Sequence, residues 1–420
     1  MPGDKSISHR AAMFAAIAEG ATDIENFAES VDCASTLGCL SELGVGIERN
    51  GSKVTVNGAG KTGFIQPKTD LDCGNSGTTM RLMAGILAGQ GFQSVLTGDE
   101  SLQKRPMKRV IEPLSQMGAS IASVNGCAPL QISGNILTGT EYRLPVASAQ
   151  IKSCVLLAGL FAEGKTSVVE STPSRDHTER MLRWFGCELN EQLTSDGKRL
   201  TVSGDNLLTA NGFAVPGDVS SSAFFLVAAA CLPGSSLELQ NVGLNPSRTA
   251  VIDALKRFGA NIEIRNERIA CNEPVGDILV TGCVDQKHDI ANLSGEIIAN
   301  LIDEIPILAV FGTQLDNGLE IRDARELRVK ESDRIASVVT NLRAMNAEVT
   351  EFEDGLKVER SKLSGARIDS FGDHRIAMAF AVAGLLATGE TEIIGAECAA
   401  VSYPRFFNDL RSVSVTHTVA

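Results

Sequence analysis

The chain has 420 residues, 43% of them apolar and 21% charged, too many for one ordinary core, so two domains of about 200 residues are expected. Lys and Arg (38) are outnumbered by Asp and Glu (51), and aromatics make up only 5%; with no basic stripe, a nucleic-acid partner is disfavoured. Ten cysteines without a CxxC pair and five histidines without ligand spacing point to reduced buried thiols and against a structural metal.

Met1 leads straight into PGDKSISHR with no apolar leader, and no apolar stretch is long enough to span a bilayer, so a cytoplasmic location is expected. From there a turn glycine followed by an alternating strand recurs six times: EGATDIENF, QGFQSVLTG, EGKTSVVES, PGSSLELQN, NGLEIRD and TGETEIIGA. Their glycines are Gly20, Gly91, Gly164, Gly234, Gly318 and Gly389. Before each lies a helix apolar nearly all round, such as TTMRLMAGILA or RIAMAFAVAGLLA, which must be buried. After each strand comes an amphipathic helix, and after most of these an alternating hairpin such as VGIERNGSKVTVNG. The unit reads βαβαββ, about 72 residues long, repeated six times. The predicted class is α/β, in two globular domains of three units each, with buried helices and outer sheets. The boundary falls near Ala214–Gly217, where the fourth unit opens with VPGDVSSSAF, giving domains 3–214 and 215–420.

Each buried helix starts with a capping cluster: Ser6–Ser8, Asn75–Thr78, Ser148, Ser220–Ser222, Asp303 and Asp373. Caps alone account for these residue types. Helix starts presented on one side would also gather phosphate and carboxylate groups, a reading strengthened by basic residues at the same places. Lys5, Ser6 and Arg10 lie at the first start, with Lys5 expected in the preceding turn. Gly74, Asn75, Gly77 and Arg81 lie at the second, followed by Arg105 before a proline. The motif GNSGTTMR is neither a P-loop nor a dinucleotide fingerprint, so a nucleotide cofactor is disfavoured. Ser148 and Gln150 open the third buried helix, and Arg175 follows it. In the second half, Asp303 and Glu304 precede IPILAV, RVKESDR packs Lys330, Glu331, Asp333 and Arg334 together, and GDHRIAMA sets Asp373, His374 and Arg375 before another apolar helix. Solvated ion pairs explain most charge runs, but carboxylates beside helices that must be buried need partners or an altered pKa.

Together PGDKSISHR, GNSGTTMR, KRP, ASAQ, DEIP, RVKESDR and GDHRIAMA resemble the 5-enolpyruvylshikimate-3-phosphate synthase family of enolpyruvyl transferases, in order along the whole chain. The resemblance implies two domains of three βαβαββ units closing over substrates in a cleft between them. It implies transfer of the enolpyruvyl group of phosphoenolpyruvate to the 5-hydroxyl of shikimate-3-phosphate, by a monomer with no metal or organic cofactor. Shikimate-3-phosphate would be held by Lys5, Ser6, Arg10, Ser148, Ala149, Gln150, Arg175, Asp303 and Lys330. Phosphoenolpyruvate would be held by Lys5, Gly77, Arg105, Gln150, Arg334 and Arg375. Asp303 would take the proton of the 5-hydroxyl, Glu331 would shuttle a proton at the methylene carbon, and Lys5 would attend the departing phosphate.

The chain departs from the family pattern in two places. Val401 stands where many relatives carry a phosphoenolpyruvate-contacting Lys. Relatives also have further residues before PGxKS, including a strand of the far domain, and the alternating tail at 412–419 is a candidate replacement strand. Two rivals are weighed. A UDP-N-acetylglucosamine enolpyruvyl transferase would need a reactive loop cysteine near Arg105, and none lies between Cys73 and Cys127. A non-catalytic binding paralogue would have no need of both Asp303 and Glu331.

Overall fold

The computed structural model describes residues 1–284 and 291–414, which divide into two compact units. One comprises Gly3–Val215 with the short segment Ile269–Glu273; the other comprises Met1–Pro2, Pro216–Arg268 and the described residues from Pro274 onward.

The first unit is built from three similar α/β modules. Each carries a four-stranded mixed sheet, in which one short strand runs parallel to a longer one and an antiparallel hairpin completes the order. In the first sheet Glu19–Glu25 pairs with Lys53–Ala59, which pairs with Gly46–Asn50. The short parallel strand is Phe213–Ala214, set against Ile24 and Glu25. The chain therefore completes its first module only after its third, immediately before VPGDVSSSAF. The fourth unit opens with a single parallel bridge from Gly217 to Val242.

The helices Lys5–Ile17, Gly77–Ala88 and Ala149–Gly159 fill the middle of this unit, and Ala11 to Ala18 are at most 1% exposed. Side chains this uniformly apolar have no solvent face to offer, so the sheets lie outside them. Gly85 lets two of these helices meet backbone to backbone: a Cβ there would lie 2.3 Å from the Cys154 carbonyl oxygen. The amphipathic helices Val31–Glu42, Lys108–Gln116 and His177–Trp184 lie nearer the surface.

The second unit repeats the plan around Val219–Cys231, Ile305–Gly312 and His374–Leu386. Its sheets have three, four and two strands among the described residues; the last, Arg367–Asp369 with Glu392–Ile394, has no hairpin there. Ser412 and Val413 end the helix Phe406–Val413, so the expected tail strand does not begin at 412. Positions 415–419 of that expectation lie outside the described residues.

Five of the six buried helices begin at a side-chain cap: Asp4, Ser76, Ser148, Asp218 and Asp373 each accept a backbone N–H of the first turn. Each such cap stabilises its helix by about 1 kcal/mol. The fifth, Ile305–Gly312, has no side-chain cap and carries Pro306 in its first turn, where a missing N–H costs nothing. Among the described residues no helix is long and apolar enough to cross a membrane.

Candidate active site

In the first unit Lys5 is the first residue of its helix rather than part of the preceding turn, because Asp4 caps the helix through Ile7 N. Its Nζ lies 3.0 Å from Asp32 Oδ2, at the start of Val31–Glu42. Arg10, one turn further on, is 3% exposed. Its guanidinium donates to Thr178 Oγ1 (2.8 Å), Ser153 Oγ (2.9 Å) and the Ser6 carbonyl (2.9 Å). Burial lowers its pKa to about 10, with Arg175 adding to the effect and Glu179 and Asp4 opposing it. A guanidinium remains charged there at neutral pH, and with Arg175 near enough to act on it, two cations share one neighbourhood.

His9, between them on the helix, is fully buried and uncharged: burial lowers its pKa to about 3. Its Nδ1 lies 2.7 Å from Thr36 Oγ1, which in turn meets Thr79 Oγ1 at 2.7 Å, and Thr79 donates to Ser76 Oγ at 2.8 Å. This chain of bonds ties together the helix starts that carry Lys5, Asp32 and Gly77.

Gly77 leaves room for arginine heads. A methyl group there would sit 2.7 Å from Arg81 Nη1 and 3.6 Å from Arg105 Nη1. Arg105 is held by Asn75 Oδ1 (2.6 Å) and Ser101 Oγ (3.3 Å). Arg81 donates to Gln150 Oε1 (2.8 Å), and Gln150 Nε2 donates to Thr78 Oγ1 (3.0 Å). Gln150 is thus fixed by its neighbours, while Ser148 caps its helix through Ile151 N and Ala149 begins it.

The second unit gathers its charges around Arg334, which is 1% exposed. Its Nε donates to Asp373 Oδ2 (2.7 Å) and one Nη to Glu331 Oε2 (2.6 Å), while the other Nη lies 3.6 Å from Asp303 Oδ1. Burial works against the charge of this guanidinium, but Asp373, Glu331 and Asp303 outweigh it and raise its pKa. Burial likewise opposes the Asp373 carboxylate, and Arg334 reverses the balance and holds its pKa below the usual range. Lys330 Nζ lies 3.1 Å from Glu326 and 3.9 Å from Asp303. Arg375 donates to the Asp303 carbonyl (2.7 Å) and Ser220 Oγ (2.9 Å), and lies 3.6 Å from Glu304.

The structure therefore joins Asp303, Lys330, Glu331, Arg334 and Arg375 into one cluster. In the first unit it links Lys5, Ser6 and Arg10 along one helix, and arranges Gly77, Arg105 and Gln150 around Arg81. Asp373, read from the sequence both as a cap and as a carboxylate in need of a partner, has one in Arg334. Sequence reasoning passes over Asp32, Thr178 and Ser153, whose partnerships span long sequence distances. It also passes over Lys152, whose signal was available: one lysine inside the apolar run IKSCVLLAG.

Comparison with known proteins shows the family. The family model for EPSP synthase (3-phosphoshikimate 1-carboxyvinyltransferase) matches residues 1–410. A 3-phosphoshikimate 1-carboxyvinyltransferase of Brevibacillus brevis is 52% identical over 417 residues, covering 99% of this chain and 96% of that protein. One of Salinibacter ruber is 51% identical over 422 residues, with the same coverage. A solved EPSP synthase from Acinetobacter baumannii superposes with a TM-score of 0.88 at 43% identity, covering 99% of this chain and 95% of that one. A match spanning nearly the full length in sequence and in fold leaves one assignment: the chain belongs to the EPSP synthase family.

Proposed function

We propose that the chain carries out its family's reaction through the residues gathered above. The enzyme transfers the enolpyruvyl group of phosphoenolpyruvate to the 5-hydroxyl of shikimate-3-phosphate and releases phosphate, a step toward the aromatic amino acids. In the first stage the 5-hydroxyl oxygen bonds to C2 of phosphoenolpyruvate. Its proton passes to Asp303, and C3 takes a proton from Glu331. In the second stage C3 returns a proton to Glu331, the double bond re-forms, and the C2–O bond to phosphate breaks. Lys5 meets the charge that develops on the departing phosphate, which takes up the proton held on Asp303 and leaves as hydrogen phosphate, so both carboxyl groups return to their starting states. Every step is a proton transfer or a C–O bond exchange, so this reading needs neither metal nor organic cofactor.

The substrates together bring two phosphates and two carboxylates, which suits planar guanidinium groups that pair bidentately. Arg10, Arg175, Ser6, Ser148, Ala149, Gln150 and Lys330, with Lys5 and Asp303, are the proposed contacts to shikimate-3-phosphate. Lys5, Gly77, Arg105, Gln150, Arg334 and Arg375 are those to phosphoenolpyruvate. The proposal requires residues of 3–214 and 215–420 to act on the same pair of substrates. We further place the enzyme in the cytoplasm as a monomer.

The observation that carries the mechanism is the pair of carboxylates on one guanidinium, Glu331 at 2.6 Å and Asp303 at 3.6 Å from Arg334. A fixed cation between an acid and a base keeps both oriented for their proton transfers. The test is phosphate release from the purified protein. Release should require phosphoenolpyruvate and shikimate-3-phosphate together. No release with that pair, or release with UDP-N-acetylglucosamine as acceptor, overturns the assignment.

A further inference from the structure

The third buried helix contains a lysine with no exposure at all. Lys152 Nζ lies 3.1 Å from each oxygen of Glu170 and 2.6 Å from Glu179 Oε1; the two glutamates are 2% and 1% exposed. Three charges buried together are costly, and apolar side chains of the same volume would stabilise the fold about as well. What ions offer that apolar groups do not is direction. Both members of the Lys152–Glu170 pair turn spare hydrogen-bonding capacity on a single residue. Glu170 Oε2 accepts from Ser174 N (3.2 Å) and Ser174 Oγ (2.8 Å), and Lys152 Nζ donates to the Ser174 carbonyl (3.3 Å). Backbone donor, backbone acceptor and hydroxyl of Ser174 are all held.

The next residue is Arg175. It follows the strand Lys165–Glu170 in a connection to the helix His177–Trp184, where Ser171, Thr172 and Pro173 are exposed. A fixed backbone helps to aim a guanidinium at such a place, and here the buried ions hold the preceding residue from beneath. The same buried layer serves Arg10: Ser153, beside Lys152, and Thr178, beside Glu179, are 2.6 Å apart and both accept from the Arg10 guanidinium.

We propose that Glu170 and Lys152 are positioning residues, which lock Ser174 so that Arg175 presents its guanidinium to shikimate-3-phosphate. This rests on the reading of Arg175 as a ligand of that substrate. The experiment is steady-state kinetics with both substrates varied, on Arg175→Ala, Glu170→Gln, Ser174→Ala and the Glu170→Gln/Arg175→Ala double variant.

Arg175→Ala should raise KM for shikimate-3-phosphate about tenfold, leaving kcat and KM for phosphoenolpyruvate within about twofold. Glu170→Gln should reproduce that split, Ser174→Ala should show it more weakly, and the double variant should be no worse than Arg175→Ala alone. A general loss of structure would move kcat and both KM values together and would not vanish in the Arg175→Ala background. If Glu170→Gln fails to fold, Ser174→Ala carries the test, since it deletes one hydroxyl and leaves the ions paired. The positioning role is overturned if Arg175→Ala shows the split while Glu170→Gln and Ser174→Ala do not, or if Glu170→Gln costs as much without Arg175 as with it. An unchanged KM in Arg175→Ala overturns the reading of Arg175 itself, and the positioning role with it.

Discussion

His9 provides a prediction whose magnitude follows from its surroundings. The ring is fully buried, its pKa is lowered to about 3 from 6.5, and its Nε2 has no hydrogen-bond partner among the described residues. Burial is the largest cause; Lys5 and Arg10 push the same way, and Asp32 and Asp4 push back. The unfolded chain therefore takes up a proton below pH 6.5 that the folded one refuses until near pH 3. Stability contributed by the neutral ring is complete above pH 6.5 and is lost as pH falls below it, by about 1.4 kcal/mol per pH unit. At pH 5.0 the loss is about 2 kcal/mol. His9→Asn keeps a polar atom where Nδ1 meets Thr36 but cannot titrate. It should cost about 1 to 2 kcal/mol at pH 7.5 through the space left by the missing ring atoms. Because every other titrating group is common to both proteins, the difference between them isolates the histidine. Urea unfolding can be followed by fluorescence of Trp184, the chain's only tryptophan, which lies in the same unit. The gap between wild type and His9→Asn should shrink by about 2 kcal/mol from pH 7.5 to 5.0, and close or invert. A gap that stays constant to within about 0.5 kcal/mol would show that the ring is not held neutral by burial, and the reasoning would fail.

Two further outcomes follow. Gly77→Ala places a methyl group 2.7 Å from Arg81 Nη1, so the arginine head must move; KM for phosphoenolpyruvate should rise by about tenfold with the fold intact, which initial-rate kinetics and thermal unfolding would show together. Arg334→Met leaves Asp373 and Glu331 without their principal cation and should cost about 3 to 5 kcal/mol in urea unfolding, with activity lost as well.

The repeated pattern was legible because it is written in local chemistry: a glycine at each turn, an apolar run where a helix is buried, an acid or hydroxyl where one begins. The places where reading the sequence falls short are those governed by distant partners. That Phe213–Ala214 completes the sheet of the first module is one such case, since its partners Ile24 and Glu25 lie far off in sequence. Lys5 was expected outside its helix because the spacing to Arg10 exceeds one turn, yet Asp4 is a good cap and extends the helix to include it. Asp303 is expected as a cap, but its carboxylate faces Lys330 and Arg334, and the helix Ile305–Gly312 begins without a side-chain cap, with Pro306 in its first turn. Within the candidate site, the residue types and their helix starts could be read directly. That Arg334 would be shared by Asp373, Glu331 and Asp303 could not, since those carboxylates come from three separate stretches of chain. Lys152 shows the same limit: its partners lie 18 and 27 positions away, on no common periodicity.

The central claim is that Asp303 and Glu331 move the two protons of enolpyruvyl transfer, and the most direct measurement is the steady-state rate of phosphate release by Asp303→Asn and Glu331→Gln. Each amide keeps the size and much of the hydrogen bonding of the carboxylate beside Arg334 but cannot carry the proton. Each variant should bind both substrates with KM values near those of the wild type and turn over slower by a factor of about 100 or more. Near-normal turnover in both would contradict the account.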